Sequence, residues 1–138
     1  MSVFCEKIII STKGFNDVID ITSRVQDIVS SYEFRNAVIN ISTLSSTASI
    51  MTLEDEPGLA VDISKMLDDF APVNKVYQHD TLWHDGNAFS HLKAALIGNN
   101  ITLSAVDKKI ELDRWQKIVL IDFDNKPSQK QIVVSLIV

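Results

Sequence analysis

The chain ends on Gln-Ile-Val-Val-Ser-Leu-Ile-Val, residues 131–138, and this apolar stretch decides how its sheet is built. Branched aliphatic residues dominate the stretch, and such residues favour extended strands. A strand this apolar would be sticky if it lay exposed at the edge of a sheet. We therefore expect the last strand to lie at the centre of a sheet or to be covered by another subunit.

Strand patterns occupy both ends of the chain, and helix patterns occupy the middle. The other expected strands cover Val3–Thr12, Phe15–Ile19, Ala37–Thr43, Thr47–Leu53, Ile101–Val106, Lys109–Leu112 and Trp115–Phe123. The residues before the last strand, Asp124–Pro127, are typical of a turn. Strands grouped in this way predict one α+β domain over residues 1–138, with a mixed or antiparallel sheet and a few helices.

Three helices are expected between the strands. The first has apolar residues at helical spacing from Ile21 to Tyr32, with Asp20 or Thr22 as its N-cap. The second begins at Pro57, and its apolar face comprises Leu59, Ile63, Met66, Leu67 and Phe70. The third has Asn87 as its N-cap and Gly98 as its end, with the apolar stripe Phe89, Leu92 and Leu96.

Composition narrows the classes of partner and location. The net charge of −5 provides no basic surface, so nucleic acid is not an expected partner. Cys5 is the single cysteine, which excludes an internal disulfide and fits a reducing compartment. Neither an apolar run of membrane-spanning length nor a signal-peptide pattern occurs in the sequence, so we expect a cytoplasmic protein without a membrane partner.

All three histidines lie in the connection before the third helix. His79, His84 and His91 alternate there with Asp80, Asp85 and Asn87. Imidazole and carboxylate groups bind transition metals and transfer protons near neutral pH, and connections of this length are often functional. We expect a divalent metal ion, either Zn²⁺ on imidazole and carboxylate ligands or Mg²⁺ on carboxylates. The alternative is a solvated polar loop whose histidines form local hydrogen bonds.

The start of the third helix could bind phosphate. Its first backbone N–H groups lack partners within the helix and carry the positive end of the helix dipole. Lys93 follows in the second turn and could add a positive charge. The alternative is that Asn87 merely caps the helix and that Lys93 is solvated.

Three segments together resemble one protein family. They are Ser46–Ser49 with Glu54–Leu59, Tyr77–Asn87 with Ser90–Leu96, and Trp115–Gln116 with Val119–Phe123. In these segments the chain resembles the YjbQ-like family, whose members have been linked to secondary thiamine-phosphate synthase activity. The similarity is greatest to the branch with the patterns STAAITTIEYEPGL and HDxxWHDGNxxSH.

The resemblance implies a homotrimer whose sheets pack around a threefold axis, with a polar, metal-binding site near subunit boundaries. The positions that match the family are Glu54, His79, Asp85, Asn87 and His91, together with Trp115 and Gln116, and His84 matches the closer branch only. Of these we expect Asn87, Glu54, Trp115 and Gln116 to bind the ligand. We expect His79, His84 and His91 to bind the metal with help from Asp85 or Glu54. In the implied reaction His91 acts as a ligand or proton donor. Asp85 holds the cation, and Lys93 neutralises the leaving pyrophosphate.

The chain also departs from the family pattern. Ser45 stands where many members have histidine, Arg114 precedes Trp115 where many have threonine, and Lys130 lies in a segment where many have several arginines. Fewer imidazole and guanidinium groups would weaken catalysis and phosphate binding. Two functions therefore remain open. One is a low-activity thiamine-phosphate synthase-like transferase, and the other is a non-catalytic trimer that binds a metal or a small phosphorylated ligand.

Overall fold

The computed structural model describes residues 1–54 and 56–138, which form an α+β fold. Its strands are β1 (Val3–Thr12), β2 (Asp17–Asp20), β3 (Asn36–Thr43), β4 (Ala48–Glu54), β5 (Asn100–Val106), β6 (Lys109–Ile110), β7 (Gln116–Asp122) and β8 (Ser128–Ile137). Its helices are α1 (Thr22–Ser30), α2 (Pro57–Phe70), α3 (Gln78–Trp83) and α4 (Ala88–Ile97). No helix in the described part of the chain is long and apolar enough to cross a membrane.

The apolar last strand lies at the centre of the larger sheet. The strand order is β1-β8-β3-β5-β6, and β8 pairs antiparallel with β1 on one side and with β3 on the other. Its inward residues Ile132, Val134 and Leu136 are fully buried. The central position confirms the first of the two expectations for this strand.

A second, smaller sheet has the order β2-β7-β4 and is also antiparallel. Ile118 and Leu120 of its central strand pack with the inner face of the larger sheet and with α1. The alternate residues Val119 and Ile121 belong to a second cluster that includes Leu67 of α2 and Ala94 of α4. The smaller sheet is therefore buried on both faces, and α2 and α4 cover its outer face.

The start of α1 differs in detail from the expectation, whereas the start of α2 agrees with it. The N-cap position of α1 falls on Ile21, and the Asp20 carboxylate accepts a hydrogen bond from the Thr22 backbone N–H at 2.9 Å. The prediction for α2 is confirmed, because Pro57 is its first residue. The Glu56 side chain caps this helix by accepting hydrogen bonds from the backbone N–H groups of Gly58 and Leu59.

The predicted apolar faces of α2 and α4 are partly wrong. Met66 and Phe70 of α2 are about half exposed, and so are Leu92 and Leu96 of α4. The buried face of α4 comprises Ala88, Phe89, Ser90, Lys93 and Ala94. The apolar pattern missed this face because it treats a serine and a lysine as outward-facing residues.

Helix α3 was not expected. Its six residues lie in the histidine-rich connection, for which the sequence indicated a loop. None of these residues is fully buried, so they carry no apolar periodicity that a sequence pattern could detect.

Alanine substitutions on β8 test its central position. Leu136→Ala should lower the free energy of unfolding by about 2–5 kcal/mol, because it removes a fully buried side chain from a packed core. Ile137→Ala is the matched control on the outer face, where the side chain is 38% exposed, and it should cost markedly less. Urea unfolding followed by circular dichroism measures both values, and equal losses would contradict the assigned faces.

Candidate functional site

The turn after α3 brings one histidine and two aspartates together. His84 ends α3 with a left-handed backbone (φ 60°), and Gly86 follows with φ 65°. This reversal places Asp85 Oδ1 3.1 Å from His79 Nε2. With Asp80, these residues offer three ligand atoms that all lie within 4.8 Å of one another.

Asp80 and Asn87 connect this cluster to the start of α4. Asp80 Oδ1 accepts a hydrogen bond from the Ala88 backbone N–H at 3.1 Å, whereas the Asn87 side chain makes no capping hydrogen bond. Asn87 is the N-cap residue of α4, as predicted, but the side chain that accepts from the start of the helix belongs to Asp80. The Asn87 amide lies 3.2 Å from His79 Nε2, 3.1 Å from Asp85 and 3.4 Å from Asp124, so its NH₂ group can donate to either carboxylate.

His91 lies beside the cluster on α4. The centroid of its ring is 4.6 Å from that of His79, and the two ring planes are tilted by 59°. His91 lines two clefts at once. The apolar cleft, of about 340 Å³, is also lined by Tyr77, His79 and Leu92. The serine cleft, of about 440 Å³, is lined by Ser45, Ser46, Ala48, Ala94, Ala95, Gly98 and Asn99 as well as His91.

The structure places His84 apart from these groups. His84 is exposed at the end of α3, and its ring does not belong to the group of converging ligand atoms. Of the predicted metal ligands, His79 and Asp85 converge and His91 lies alongside. Asp80 was absent from the predicted set, since its approach to Asp85 depends on a helix and turn that the sequence pattern did not reveal.

Glu54, Trp115 and Gln116 lie at the opposite end of the smaller sheet. Glu54 pairs with Gln116 at one end of the β4–β7 ladder, while Ala48, which lines the serine cleft, is at the other end. Six residue steps of a strand span about 20 Å. Trp115 is 59% exposed, and the Arg114 guanidinium lies 4.8 Å from the centroid of its ring. One chain therefore does not bring these residues to His79.

Lys93 is buried in an ion pair. Its ammonium group lies 2.5 Å from Asp68 Oδ1 and donates to Asn16 Oδ1 at 3.2 Å, and its side chain is only 1% exposed. Burial raises the pKa of Asp68, but the hydrogen bonds from Lys93 and Asn16 outweigh burial and hold that pKa below its ordinary value. Lys93 thus links α4 to α2 and to the β1–β2 loop.

A buried ionic network, formed by Asp122, Asp124 and Lys130, lies behind the site. Lys130 Nζ is 3.6 Å from Asp122 and 3.7 Å from Asp124, and it donates to the Thr47 hydroxyl at 3.1 Å. Burial raises the pKa of Asp124, but hydrogen bonds that include the Asn125 backbone N–H, together with the charge of Lys130, hold that pKa below its ordinary value. The one sequence signal for this network was Asp122, a carboxylate inside the apolar pattern of residues 115–123.

The fold and the histidine–aspartate cluster define a small α+β protein with a candidate metal and ligand site beside α4. The family model described as UPF0047 protein YjbQ-like matches residues 6–138, so the chain belongs to the YjbQ/UPF0047 family. A UPF0047 protein from Methanothermobacter thermautotrophicus is 34% identical over 136 residues, which cover 99% of this chain and 93% of that protein. Another, from Archaeoglobus fulgidus, is 35% identical over 120 residues, covering 87% and 91%.

Solved structures show the same fold. A YbjQ-like protein of unknown function from Sulfolobus solfataricus superposes with a TM-score of 0.92 at 30% identity, over 98% of this chain and 96% of that chain. An uncharacterised YjbQ/UPF0047 protein from Clostridium acetobutylicum gives a TM-score of 0.87 at 27% identity, over 96% and 99%. The family is therefore established for this chain by both sequence and fold.

Substitutions at Lys93 and Asp68 separate a structural role of the lysine from a role in phosphate binding. Asp68→Ala leaves a buried ammonium group without its carboxylate and should cost about 2 kcal/mol. A fully buried pair would cost roughly 3–5 kcal/mol, but half of the Asp68 side chain is open to water. Lys93→Met removes the charge and should cost less. Chemical denaturation measures the loss of stability in each variant. Calorimetry measures phosphate affinity, which should be the same in Lys93→Met as in the wild type, because Lys93 is paired with Asp68. A lower phosphate affinity with unchanged stability would instead support the predicted phosphate role.

Proposed function

We propose that this protein binds a divalent cation at His79, Asp80 and Asp85 and uses it to hold a phosphorylated ligand at the start of α4. The observation that carries the proposal is the convergence of one imidazole and two carboxylates within 4.8 Å. An imidazole with carboxylates suits Zn²⁺ or a neighbouring first-row metal better than it suits Mg²⁺, which prefers oxygen ligands.

The spacing of the donor atoms fits a metal site. Two ligands at about 2.0–2.2 Å from one tetrahedral zinc ion are roughly 3.3–3.6 Å apart. The distance of 3.1 Å between His79 Nε2 and Asp85 Oδ1 is close to this value. The ligand atom of Asp80 lies within 4.8 Å of the other two, so it would move toward them by about 1 Å when a zinc ion binds. Asp80 uses one carboxylate oxygen on the Ala88 N–H, which leaves its other oxygen for a cation. The hydrogen bond to Ala88 also fixes this carboxylate against α4.

The beginning of α4 would receive the phosphate. The Ala88 and Ser90 N–H groups there donate to Asp80 and to the Asn87 carbonyl, so the positive end of the helix dipole, next to the proposed cation, would attract the phosphate. A bound cation would supply the positive charge that phosphate requires, because Lys93 is engaged with Asp68. Asn87 lies between His79 and the phosphate position, so its amide can orient either group.

The reaction implied by the resemblance joins a pyrimidine diphosphate to a thiazole phosphate and expels pyrophosphate. In this proposal His91, which lines both clefts, is the proton donor or a further ligand. We propose a low rate, because Ser45 replaces the histidine of many family members and Lys93 is buried away from solvent. Ser45 lines the same cleft as His91, so a histidine at position 45 would face this site.

A non-catalytic binding protein is the second candidate. It is favoured by the absence of lysine and arginine among the described residues that line the two clefts, since a diphosphate leaving group normally requires basic side chains. In that case the same cation and ligand site would serve binding alone.

We also propose the trimer. Glu54, Trp115 and Gln116 lie about 20 Å from the serine cleft, so they could contribute to a shared site only if they came from another subunit. The half-exposed residues Met66, Phe70, Leu92 and Leu96 provide apolar surface that assembly would cover. Sedimentation at micromolar concentration should give about three times the mass of one chain, and a monomer would contradict the proposal.

The metal ligands can be tested with two histidine variants. His79→Ala should lower zinc affinity at least tenfold, because it removes the only imidazole in the converging group. His84→Ala is the matched control, because His84 is exposed and lies outside that group. Equilibrium dialysis and elemental analysis of untagged protein measure the bound ion. Loss of the ion in His84→Ala with retention in His79→Ala would overturn the assignment and favour the ligand role first predicted for His84.

Histidine restoration tests catalysis. With a saturating divalent cation, Ser45→His should form thiamine phosphate from the two substrates faster than the wild type, because the added imidazole would face His91 across the serine cleft. Leu44→His adds the same group at the other neighbouring position, which is exposed and does not line the cleft, and it serves as the control. Product is measured by chromatography. If neither the wild type nor Ser45→His forms product, the non-catalytic candidate is the function that the site supports.

A further inference from the structure

We propose that the serine cleft holds a neutral or cationic, hydrogen-bond-donating group of the ligand and that it excludes the phosphate. The inference rests on the proposed function, since it treats the cleft as the second half of the ligand site at His79. It assigns a chemical preference to a cavity for which neither sequence pattern nor family membership supplies one.

The position of the cleft on α4 provides the first argument. Its walls include Ala94, Ala95 and Gly98, which belong to the last turns of the helix and to the residue that ends it. The last carbonyl groups of a helix have no partner within it and carry the negative end of the dipole. Ala94 O accepts from the Gly98 N–H at 2.8 Å, and Asn99 O accepts from the Thr43 N–H at 2.9 Å. Between them, the carbonyl groups of residues 95–97 are the ones that the end of a helix leaves without a helical donor. This end of the helix attracts donors and cations and repels anions.

The groups that line and support the cleft provide a second, independent argument. No lysine or arginine occurs among the described residues of its wall. The buried ionic network stands behind it, since Ser45 contacts Thr47, and Thr47 contacts both Lys130 and Asp124. Two carboxylates and one ammonium group leave this network with one net negative charge. An anion in the cleft would therefore meet negative potential from the helix end and from the network.

Each end of α4 would thus bind a different end of the same ligand. Phosphate would lie at the first residues, near Asn87 and the proposed cation, and the donor group would lie beyond His91, near Ser46 and Asn99. From Ala88 to Ala95 the helix rises by about 10 Å, so the tail must extend several bonds from the phosphate.

A matched series of phosphate monoesters tests the proposal in the presence of zinc. Their six-carbon chains are long enough to span the two ends of α4 and end in a methyl, an ammonium or a carboxylate group, and calorimetry gives their affinities at pH 8. We expect the ammonium-ended ester to bind about fivefold more tightly than the methyl-ended ester, which is the size of one charge interaction in a wet site. The carboxylate-ended ester should bind weakest. NMR should show that only the ammonium-ended ester shifts the amide signals of Ser45, Ser46 and Asn99.

A charge variant in the cleft provides the control. Ser46→Lys adds a cation at an exposed position and should reverse the order of the ammonium-ended and carboxylate-ended esters, with the methyl-ended ester unchanged. Equal or tighter binding of the carboxylate-ended ester by the wild type would overturn the inference. If none of the esters binds, the proposed function fails, and butylamine then tests the cleft alone. It should still shift Ser46 and Asn99, and no shift would overturn the inference as well.

Discussion

The pairing of Lys130 with Asp122 and Asp124 is the interaction on which the rest of the structure depends. Lys130 lies on β8 of the larger sheet, and Asp122 ends β7 of the smaller one. Buried charges are tolerated only when they are paired and hydrogen-bonded. Here two carboxylates share one ammonium group, so other donors must satisfy the excess charge. The Thr12 hydroxyl binds Asp122 at 2.5 Å, and the Asp124 backbone N–H binds it at 3.0 Å.

The turn between β7 and β8, which follows Asp122, also supports the candidate site, and we call this part of the fold the corner. Asp124 contacts the Asn87 amide, and the neighbouring Asn125 side chain donates to the Asp85 carbonyl at 2.9 Å. Gly14 also belongs to this corner, because a Cβ at this residue would lie 2.6 Å from the Asp124 carbonyl oxygen. The loop that carries Asp85 is therefore held against the β7–β8 turn rather than by an apolar core. Asp85 and Asn87 are therefore positioned by hydrogen bonds to Asn125 and Asp124, beside the buried charges of the ionic network.

The sequence predicted the strands well because β-branched runs and turn residues mark them directly. The apolar character of residues 131–138 predicted either a central strand or a strand covered by another subunit, and the structure has the central strand. Pro57 correctly marked the start of α2. The helix faces were harder to predict. Lys93 is buried because Asp68 and Asn16 meet it from distant parts of the chain, and no local pattern contains that information. The same limit hid Asp80, whose approach to Asp85 depends on a short helix without a buried face.

The family resemblance was read correctly from three segments of the sequence, and the family model covers residues 6–138. The functional residues implied by it divide into two groups on the fold. His79, Asp85, Asn87 and His91 lie together beside α4, whereas Glu54, Trp115 and Gln116 lie at the far end of the smaller sheet. One chain is sufficient to bring the first group together. The second group could reach the same site only from another subunit.

The proposed cation site consists of one imidazole and two carboxylates, which α3 and the turn after it bring together. Zinc X-ray absorption spectroscopy of protein loaded with one equivalent of zinc measures this ligand set directly. We expect a shell of oxygen and nitrogen atoms at about 2.0–2.2 Å together with the scattering signature of coordinated imidazole. A shell without imidazole, or a sulfur ligand at about 2.3 Å from Cys5, would contradict it.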